Sequence, residues 1–200
     1  MAVRKSIPNY EGVYFITFTC WNWMSLFELT NGYYAVYKWF DVLKAQGHYV
    51  SGYVIMPNHF HGLLAFRNTE GLPINNIIGT GKRFIAYELI KQLQIIDAHD
   101  ILHRLEKQVK RKDKCRGKLH EVFQPSFDWK ECETEKFIIQ KLDYIHNNPC
   151  SGKWNLAKNP WDYLHSSAQF YFTGKQGIYE VLNYQDLDEI DLTIPIQKLN

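Results

Sequence analysis

Apolar residues recur at two periods along this chain, and each change of period marks a predicted boundary between a strand and a helix. Residues 13–20 are rich in β-branched and aromatic side chains, which predicts a first strand near the centre of a sheet. From residue 31 the apolar positions follow helical spacing, and Gly47 stands where such a helix would end. The residues that define this first helix are Tyr33, Val36, Tyr37, Phe40 and Leu43.

The pattern then predicts a β-hairpin followed by a long helix. Residues 48–56 and 59–66 are strand-like, and a Pro-Asn turn signal separates them. Over residues 74–96 the apolar positions again follow helical spacing. Gly79 and Gly81 each cost this helix about 1 kcal/mol relative to alanine, so the pattern also allows a break there.

Two further elements complete the predicted order. Residues 121–129 indicate a fourth, irregular strand, in which Pro125 favours a bulge or an edge position. Thr134 is a candidate N-cap for a last long helix, which Pro149 ends. The resulting order, β-α-β-β-α-β plus a further helix, predicts an α+β protein with a ferredoxin-like antiparallel sheet and helices packed on it.

Two histidines, His59 and His61, lie in the third predicted strand. Side chains two residues apart in a strand point to the same side, so both imidazoles project together while Phe60 points away. Neighbouring imidazoles are typical metal ligands. A His-x-His sequence also arises by chance in a chain with eight histidines, and the pair alone leaves both interpretations open.

The last predicted helix presents a tyrosine and an amide together. Tyr144 lies at the flank of the apolar stripe, and Asn148 follows one turn later on the same face. His146, on the other side of the helix, is expected to be structural. A tyrosine in the core is the alternative for Tyr144, because the chain has 13 tyrosines.

Three blocks of this sequence resemble those of one known family. Tyr53-Val-Ile-Met-Pro-Asn-His-Phe-His61 resembles the signature of the REP-associated tyrosine transposases, which are IS200-like, single-tyrosine members of the HUH nuclease superfamily. Residues 142–149 are similar to the tyrosine block of that family, and residues 160–167 to its downstream Tyr-x-x-Ser-Ser block. Residues 14–18 resemble its opening strand, and all the blocks occur in family order.

The resemblance implies an enzyme that cleaves and rejoins single-stranded DNA. Tyr144 would be the nucleophile and would form a 5′-phosphotyrosine intermediate. His59, His61 and Asn148 would hold a divalent metal ion, which the family implies to be Mg²⁺ or Mn²⁺. Two imidazoles and one neutral oxygen ligand would leave metal positions open for phosphate oxygens.

The resemblance also implies partners and a division of the chain. The transposase domain would cover residues 1–175 and be followed by an acidic tail over residues 176–200. Single-stranded DNA with a hairpin or palindromic repeat is the implied partner, and a homodimer is compatible with this interpretation. The resemblance places Lys82 and Arg83 near DNA, whereas their position in a helix favours ordinary surface charge.

The chain departs from the family pattern at two places. Residues 128–133 are more acidic than the corresponding stretch of the family, and no arginine follows the first strand near Trp23. These departures concern which DNA is bound and how tightly. They leave the tyrosine, the two histidines and the asparagine in place.

Composition indicates a folded protein and argues against zinc-knuckle, disulfide-rich and membrane-spanning proteins. Of the 200 residues 46% are apolar and 16% aromatic, which is ample for a core. The four cysteines include no C-x-x-C pair, so neither a zinc knuckle nor a disulfide framework is indicated. The sequence contains no apolar run of membrane-spanning or signal-peptide length, and we expect a cytoplasmic protein without membrane contact.

The net charge of +2 is distributed unevenly. Between Arg104 and Lys118 eight residues are Lys or Arg, which is the expected footprint of a nucleic-acid binder; a solvated loop is the alternative. Within this basic segment, residues 104–118, we select Lys110, Arg111 and Lys112 as DNA-binding candidates.

A function without chemistry also fits the predicted fold. A ferredoxin-like sheet with exposed aromatic residues can stack the bases of single-stranded DNA or of an RNA hairpin as a binding module alone. The presence of all four implied active-site residues favours the enzyme.

The basic segment generates a first prediction. Replacing Lys110, Arg111 and Lys112 with alanine should flatten the slope of log K against log salt for hairpin binding by up to about 2, since each phosphate contact on a single strand contributes about 0.7. Discrimination between the hairpin and a scrambled-loop control should survive, because phosphate contacts carry no sequence information. Identical salt slopes for variant and parent would mean that the segment is a solvated loop.

Overall fold

A four-stranded antiparallel sheet in the order β2-β3-β1-β4 organises this protein, in a computed structural model that describes residues 6–152 and 154–195. The predicted central position of the first strand is confirmed, because β1 pairs with β3 on one side and with β4 on the other. The predicted hairpin is also confirmed. The strands are β1 (Gly12–Thr19), β2 (Tyr49–Met56), β3 (His59–Phe66) and β4 (Asp128–Glu131).

The α-helices of the described residues are α1 (Leu26–Leu29), α2 (Tyr33–Ala45), α3 (Ile74–Ile95), α4 (His99–Lys107), α5 (Arg111–Lys114), α6 (Glu135–Asn147) and α7 (Ala168–Thr173). The three that the apolar periodicity predicts are α2, α3 and α6. Thr134 is the N-cap of α6, as predicted, and its hydroxyl accepts a hydrogen bond from the amide of Phe137 at 3.3 Å. No helix in the described ranges is both long and apolar enough to cross a lipid bilayer.

The predicted α+β class is confirmed. Helix α2 connects β1 to β2 and helix α3 follows β3, so the chain has the β-α-β-β-α-β order of a ferredoxin-like sheet. Helix α6 then follows β4, as the predicted further helix. The possible break in α3 does not occur, because α3 runs without interruption through both of its glycines.

The predicted bounds of the fourth strand, residues 121–129, are wrong. β4 begins at Asp128, and the earlier part of the stretch contributes to the sheet only an isolated bridge between Cys20 and Phe123. The ammonium group of Lys82 donates to the backbone carbonyls of Gln124 and Ser126, at 3.1 and 3.0 Å. These two carbonyls therefore bind a side chain in place of a neighbouring strand. The apolar signal in this stretch reflects packing into the core.

The two faces of the sheet bury different sets of side chains. One face packs against α2 and α3 in a large aromatic core, in which Phe60 stacks on Phe18 with ring centroids 4.8 Å apart. The other face carries a smaller cluster with Leu63 and Leu142 and is covered by α6. The side chains of β3 therefore alternate between two cores. His59 and His61 share one side and Phe60 takes the other, as predicted, and the side of the histidines is the one that α6 covers.

The free edge of β2 is covered by the chain that follows α6. The amide of Ile55 donates to the carbonyl of His165 at 2.9 Å, and the amide of Tyr53 donates to the hydroxyl of Ser167 at 2.9 Å. The hydroxyl of Tyr163 donates to the carbonyl of Ile55 at 2.9 Å. The Tyr-x-x-Ser-Ser block thus closes a sheet edge that would otherwise expose unpaired backbone groups.

The described part of the predicted acidic tail also contacts the sheet. Val181 is buried, and the amide of Leu182 donates to the carbonyl of Val50 at 3.0 Å. The predicted division into residues 1–175 and 176–200 stays a prediction. Its outermost parts, residues 1–5 and 196–200, lie outside the described residues.

Two glycines of α3 have opposite surroundings, which generates a second prediction. A Cβ atom at Gly81 would lie 2.2 Å from Nε1 of Trp39, whereas a Cβ atom at Gly79 would meet nothing within 4 Å. Gly81→Ala should therefore lower the free energy of unfolding by about 1–3 kcal/mol through overpacking. Gly79→Ala should raise it by up to about 1 kcal/mol through helix propensity. Urea unfolding of both variants measures the difference, and a stabilising Gly81→Ala would contradict the close approach of α2 and α3.

Candidate metal and tyrosine site

The two histidines of β3 form the floor of the candidate site. His59 and His61 are both buried, and their ring centroids are 4.7 Å apart with planes at 78°. The ring of His61 also stacks on Phe15 of β1, with centroids 5.5 Å apart. These contacts fix the orientation of both imidazoles within the sheet.

Each imidazole is held through its Nδ1 atom. Nδ1 of His61 lies 2.6 Å from Oγ1 of Thr17, its direct partner across the β1–β3 pair, and Nδ1 of His59 lies 2.7 Å from Oδ1 of Asn58. A hydrogen bond at Nδ1 assigns metal binding to Nε2, since second-shell partners of this kind orient metal-binding histidines. Both histidines therefore have the geometry of Nε2 ligands.

Two of the predicted metal ligands each have a buried polar atom with no hydrogen-bond partner within the described part of the chain: Nε2 of His61 and Oδ1 of Asn148. A buried polar atom without a partner costs about 1–3 kcal/mol, so such atoms in a folded protein require an explanation. A bound cation would satisfy both. No cluster of three His, Cys, Asp or Glu side chains exists among residues 6–152 and 154–195, so a third protein ligand would be an amide oxygen.

Burial and charge keep His61 in the neutral form. Burial, and after it the electrostatic interactions with His59 and Lys141, hold the pKa of His61 well below its usual range. A neutral imidazole is the form that coordinates a metal ion. The ring is therefore ready for coordination at neutral pH without first losing a proton.

Tyr144 lies at the mouth of this site. Its ring meets His61 at 5.1 Å and Phe15 at 5.8 Å between centroids, both nearly edge-on, and its side chain is 52% exposed. It opens into a cleft of about 320 Å³. The cleft is lined by Phe15, Thr17, His61, Asp128, Trp129, Lys130, Lys141 and Tyr144. Tyr144 is therefore a surface residue of the cleft and not a core tyrosine.

Sequence reasoning missed Lys141, which lies one turn before Tyr144 on α6. Its ammonium group sits over the rings of Phe15 and Phe137, at 5.0 and 4.8 Å from their centroids. The spacing of three residues places Lys141 on the face of α6 that carries Tyr144, and this spacing could have identified it. It gives the cleft a positive charge beside the tyrosine.

Two tryptophans that sequence reasoning also missed flank His59. The ring centroid of Trp23 lies 5.9 Å from that of His59, and the centroid of Trp154 lies 5.7 Å from it. Trp23 follows β1 and Trp154 follows α6, so they reach the same histidine from distant parts of the chain. No periodicity in the sequence indicates either contact.

The predicted DNA-binding residues lie apart from the cleft lining. Lys82 donates to two backbone carbonyls, as described above, and Arg83 is exposed on α3. Lys110, Arg111 and Lys112 are exposed at the start of α5. The DNA contacts of all five residues stay predictions.

The back of α6 is anchored to the β2 edge. Nε2 of His146 lies 2.9 Å from the hydroxyl of Ser167, which also accepts the amide hydrogen of Tyr53. Burial lowers the pKa of His146 to about 4, so the imidazole that contacts Ser167 is neutral at neutral pH. Leu142 approaches so closely that a Cβ atom on Gly52 would lie 2.5 Å from its Cδ2. His146 thus has the expected structural role, and it fixes the helix that carries Tyr144.

Comparison with solved structures places this fold beside that of a transposase. The chain is similar to a REP-associated tyrosine transposase bound to a REP hairpin, with a TM-score of 0.55, 18% identity and coverage of 98% of each chain. A putative transposase from Deinococcus radiodurans R1 matches with a TM-score of 0.40 and 18% identity, covering 72% of this chain and 97% of that one. Neither models of protein families nor curated protein sequences give a match. The resemblance inferred from sequence is therefore confirmed at the level of the fold.

The unpartnered atoms of this site generate a third prediction. Mn²⁺ should raise the melting temperature of the parent protein, corresponding to about 2.7 kcal/mol at a concentration 100 times its Kd. His61→Ala and Asn148→Ala should lose most of this increase, because each removes one ligand atom. Differential scanning fluorimetry with and without Mn²⁺ measures the shift, and His103→Ala, on the exposed surface of α4, is the matched control. An undiminished shift in both site variants would place any metal elsewhere.

Proposed function

We propose that this chain is a REP-associated tyrosine transposase that cleaves and rejoins single-stranded DNA through a covalent bond to Tyr144. The observation that carries the proposal is the edge-on contact of Tyr144 with His61, at 5.1 Å, because Nε2 of His61 is a buried ligand atom without a partner in the described residues. A fold shared with a transposase adds support. Fold alone would not identify the reaction, and the side chains of the site carry that part of the argument.

The residues of the site fit a divalent metal ion. His59, His61 and Asn148 would hold it through two imidazole nitrogens and one amide oxygen. Bound there, Mg²⁺ or Mn²⁺ would supply Lewis-acid polarisation of a phosphate group. Imidazole ligands favour Mn²⁺ or Zn²⁺ over Mg²⁺, whereas the family resemblance implies Mg²⁺ or Mn²⁺, so Mn²⁺ is the ion common to both arguments.

Tyr144 is the nucleophile of the proposed reaction. Its phenolic oxygen attacks the scissile phosphorus, a Tyr–O–P bond forms, and the bond from phosphorus to the 3′ oxygen breaks. The tyrosine proton passes to solvent water in the open cleft and the departing 3′ oxygen takes up a proton from solvent, which leaves a 5′-phosphotyrosine and a free 3′-hydroxyl. Rejoining is the reverse reaction with a second 3′-hydroxyl, and it needs no ATP because the phosphodiester energy is retained in the covalent bond.

Lys141 completes the electrostatic environment of this reaction. Negative charge develops on the phosphate oxygens as the tyrosine attacks, and a fixed cation nearby stabilises that charge. The Phe15 and Phe137 rings hold the ammonium group beside Tyr144 through cation–π contacts. Lys141 would therefore neutralise phosphate charge at the entrance of the cleft, while His59, His61 and Asn148 would hold the metal ion.

The partner that we propose is a DNA hairpin with an unpaired flank. The similar transposase was seen bound to a REP hairpin, and the cleft of this chain is open to a single strand because Tyr144 is half exposed. A double helix keeps its phosphodiesters on a rigid rod, whereas an unpaired strand can bend into a cleft of this size. The substrate would therefore combine a hairpin for recognition with a flexible strand for cleavage.

The role of Tyr144 generates a fourth prediction. Tyr144→Phe should abolish the covalent protein–DNA adduct, and the Kd for the hairpin should change by less than about twofold, since only one hydroxyl is removed. The adduct is measured as a band on a denaturing gel after incubation with single-stranded DNA hairpins and Mn²⁺.

Tyr87→Phe is the matched control, because Tyr87 is 67% exposed on α3. This variant should form the adduct at Tyr144 as the parent protein does. An adduct that persists in Tyr144→Phe would assign the nucleophile to another tyrosine. Hairpin binding by the parent without any adduct would favour a binding module that carries out no chemistry.

A further inference from the structure

Trp23 is exposed in a way that its role in packing does not explain. Its side chain is 58% exposed, and it is not a member of either of the two hydrophobic clusters. By contrast, Trp21, two residues earlier, packs against the large core. An exposed indole gives up most of the stabilisation that burial of a large aromatic ring supplies.

The backbone at Trp23 is strained as well. Asn22 has φ 49° and Trp23 has φ 57°, so two successive residues occupy the left-handed region. That region is common for glycine and tolerated by asparagine, but it is an outlier for a bulky side chain. Such strain persists where the surroundings enforce it, and it clusters at ligand sites.

Asn58 links this strained turn to the candidate metal site. Its Nδ2 donates to the carbonyl of Trp23 at 2.9 Å, and its Oδ1 lies 2.7 Å from Nδ1 of His59. The amide of Cys20 also donates to the backbone carbonyl of Asn58 at 2.8 Å. One side chain thus fixes both the imidazole of His59 and the position of the indole beside it.

The remaining surface of the indole is suited to a flat ligand. The planes of Trp23 and His59 meet at 70°, so this contact covers at most one side of the indole. A nucleobase is flat and apolar on both faces, and stacking on an aromatic side chain is possible for every base. Because Trp23 lies directly beside His59, a base stacked on it would belong to a nucleotide close to the phosphate at the site.

We infer that Trp23 is a stacking platform that holds one unpaired base of single-stranded DNA beside the cleavage site. The inference rests on the proposed function for the identity of the ligand, and it adds a base-binding subsite to it. Stacking selects for an unpaired nucleotide and against duplex, because a paired base has no free face. Trp23 would thereby restrict cleavage to the single-stranded flank of a hairpin.

The test compares two DNA hairpins that differ only in their flank. One carries about six unpaired thymidines, within the site sizes usual for single-strand binders, and the other is blunt. Fluorescence anisotropy gives the Kd of each, with all variants built on Tyr144→Phe so that no strand is cut. Trp23→Ala should weaken binding of the flanked hairpin by about 5- to 100-fold and that of the blunt hairpin by less than about twofold.

Single abasic substitutions along the flank locate the base. One abasic position should weaken the parent as strongly as Trp23→Ala does, and combining the two should add little further loss, which is the signature of a direct contact. Trp23→Phe should retain most of the affinity. Trp161→Ala, at another partly exposed tryptophan that packs on Phe172, should bind both hairpins normally.

Trp23→Gly separates stacking from folding. Glycine relieves the left-handed strain, so this variant should melt at or above the temperature of the parent while binding as weakly as Trp23→Ala. Equal losses on both hairpins, no loss on either, additive abasic effects at every position, or no binding of the flanked hairpin by the parent would each overturn the inference.

The outcomes also separate this inference from the proposed function. An adduct at Tyr144 in the otherwise unaltered protein, together with unchanged binding by Trp23→Ala, would refute the stacking platform alone. Coupling between Trp23 and one flank position, in a protein that forms no adduct, would refute strand cleavage and leave the base-binding subsite in place.

Discussion

The alternation of side chains along β3 is the constraint on which the rest of this structure depends. The strand is buried on both faces, and Phe60 enters the aromatic core while His59 and His61 enter the α6 side. A shift of one residue would bury two imidazoles among Phe18 and its neighbours and expel Phe60 to the opposite face. The hydrophobic core thus specifies the position of the polar site.

The same register supplies the support of the site. Thr17 stands opposite His61 in the β1–β3 pair, so its hydroxyl reaches Nδ1 of that histidine, and Phe15, two residues earlier, supplies the stacking surface. On the other side, Leu142 packs into the space left by Gly52, and His146 meets Ser167. Contacts on the side of α6 away from Tyr144 therefore help to position this tyrosine.

The sequence predicts the parts of the site that depend on a single element. The period of two in β3 places both histidines on one side, and the helical period places Tyr144 and Asn148 one turn apart. It does not predict Thr17, Trp23 or Trp154 as neighbours of the histidines, because these contacts join segments that only the folded chain brings together. The wrong prediction of the fourth strand has a related cause. Val122 and Phe123 are apolar because they pack in the core, and they do not belong to β4.

The covered edge of β2 has a consequence for the folding of this protein during its synthesis on the ribosome. Tyr53 finds its partner Ser167 only 114 residues later in the chain. At synthesis rates of about 5–20 residues per second, roughly 6 to 23 seconds pass before that partner is made. During this interval a nascent chain that has already formed its hairpin carries an unpaired β2 edge, open to pairing with neighbouring chains. The Tyr-x-x-Ser-Ser block that secures the tyrosine helix therefore also ends the interval in which this edge is unpaired.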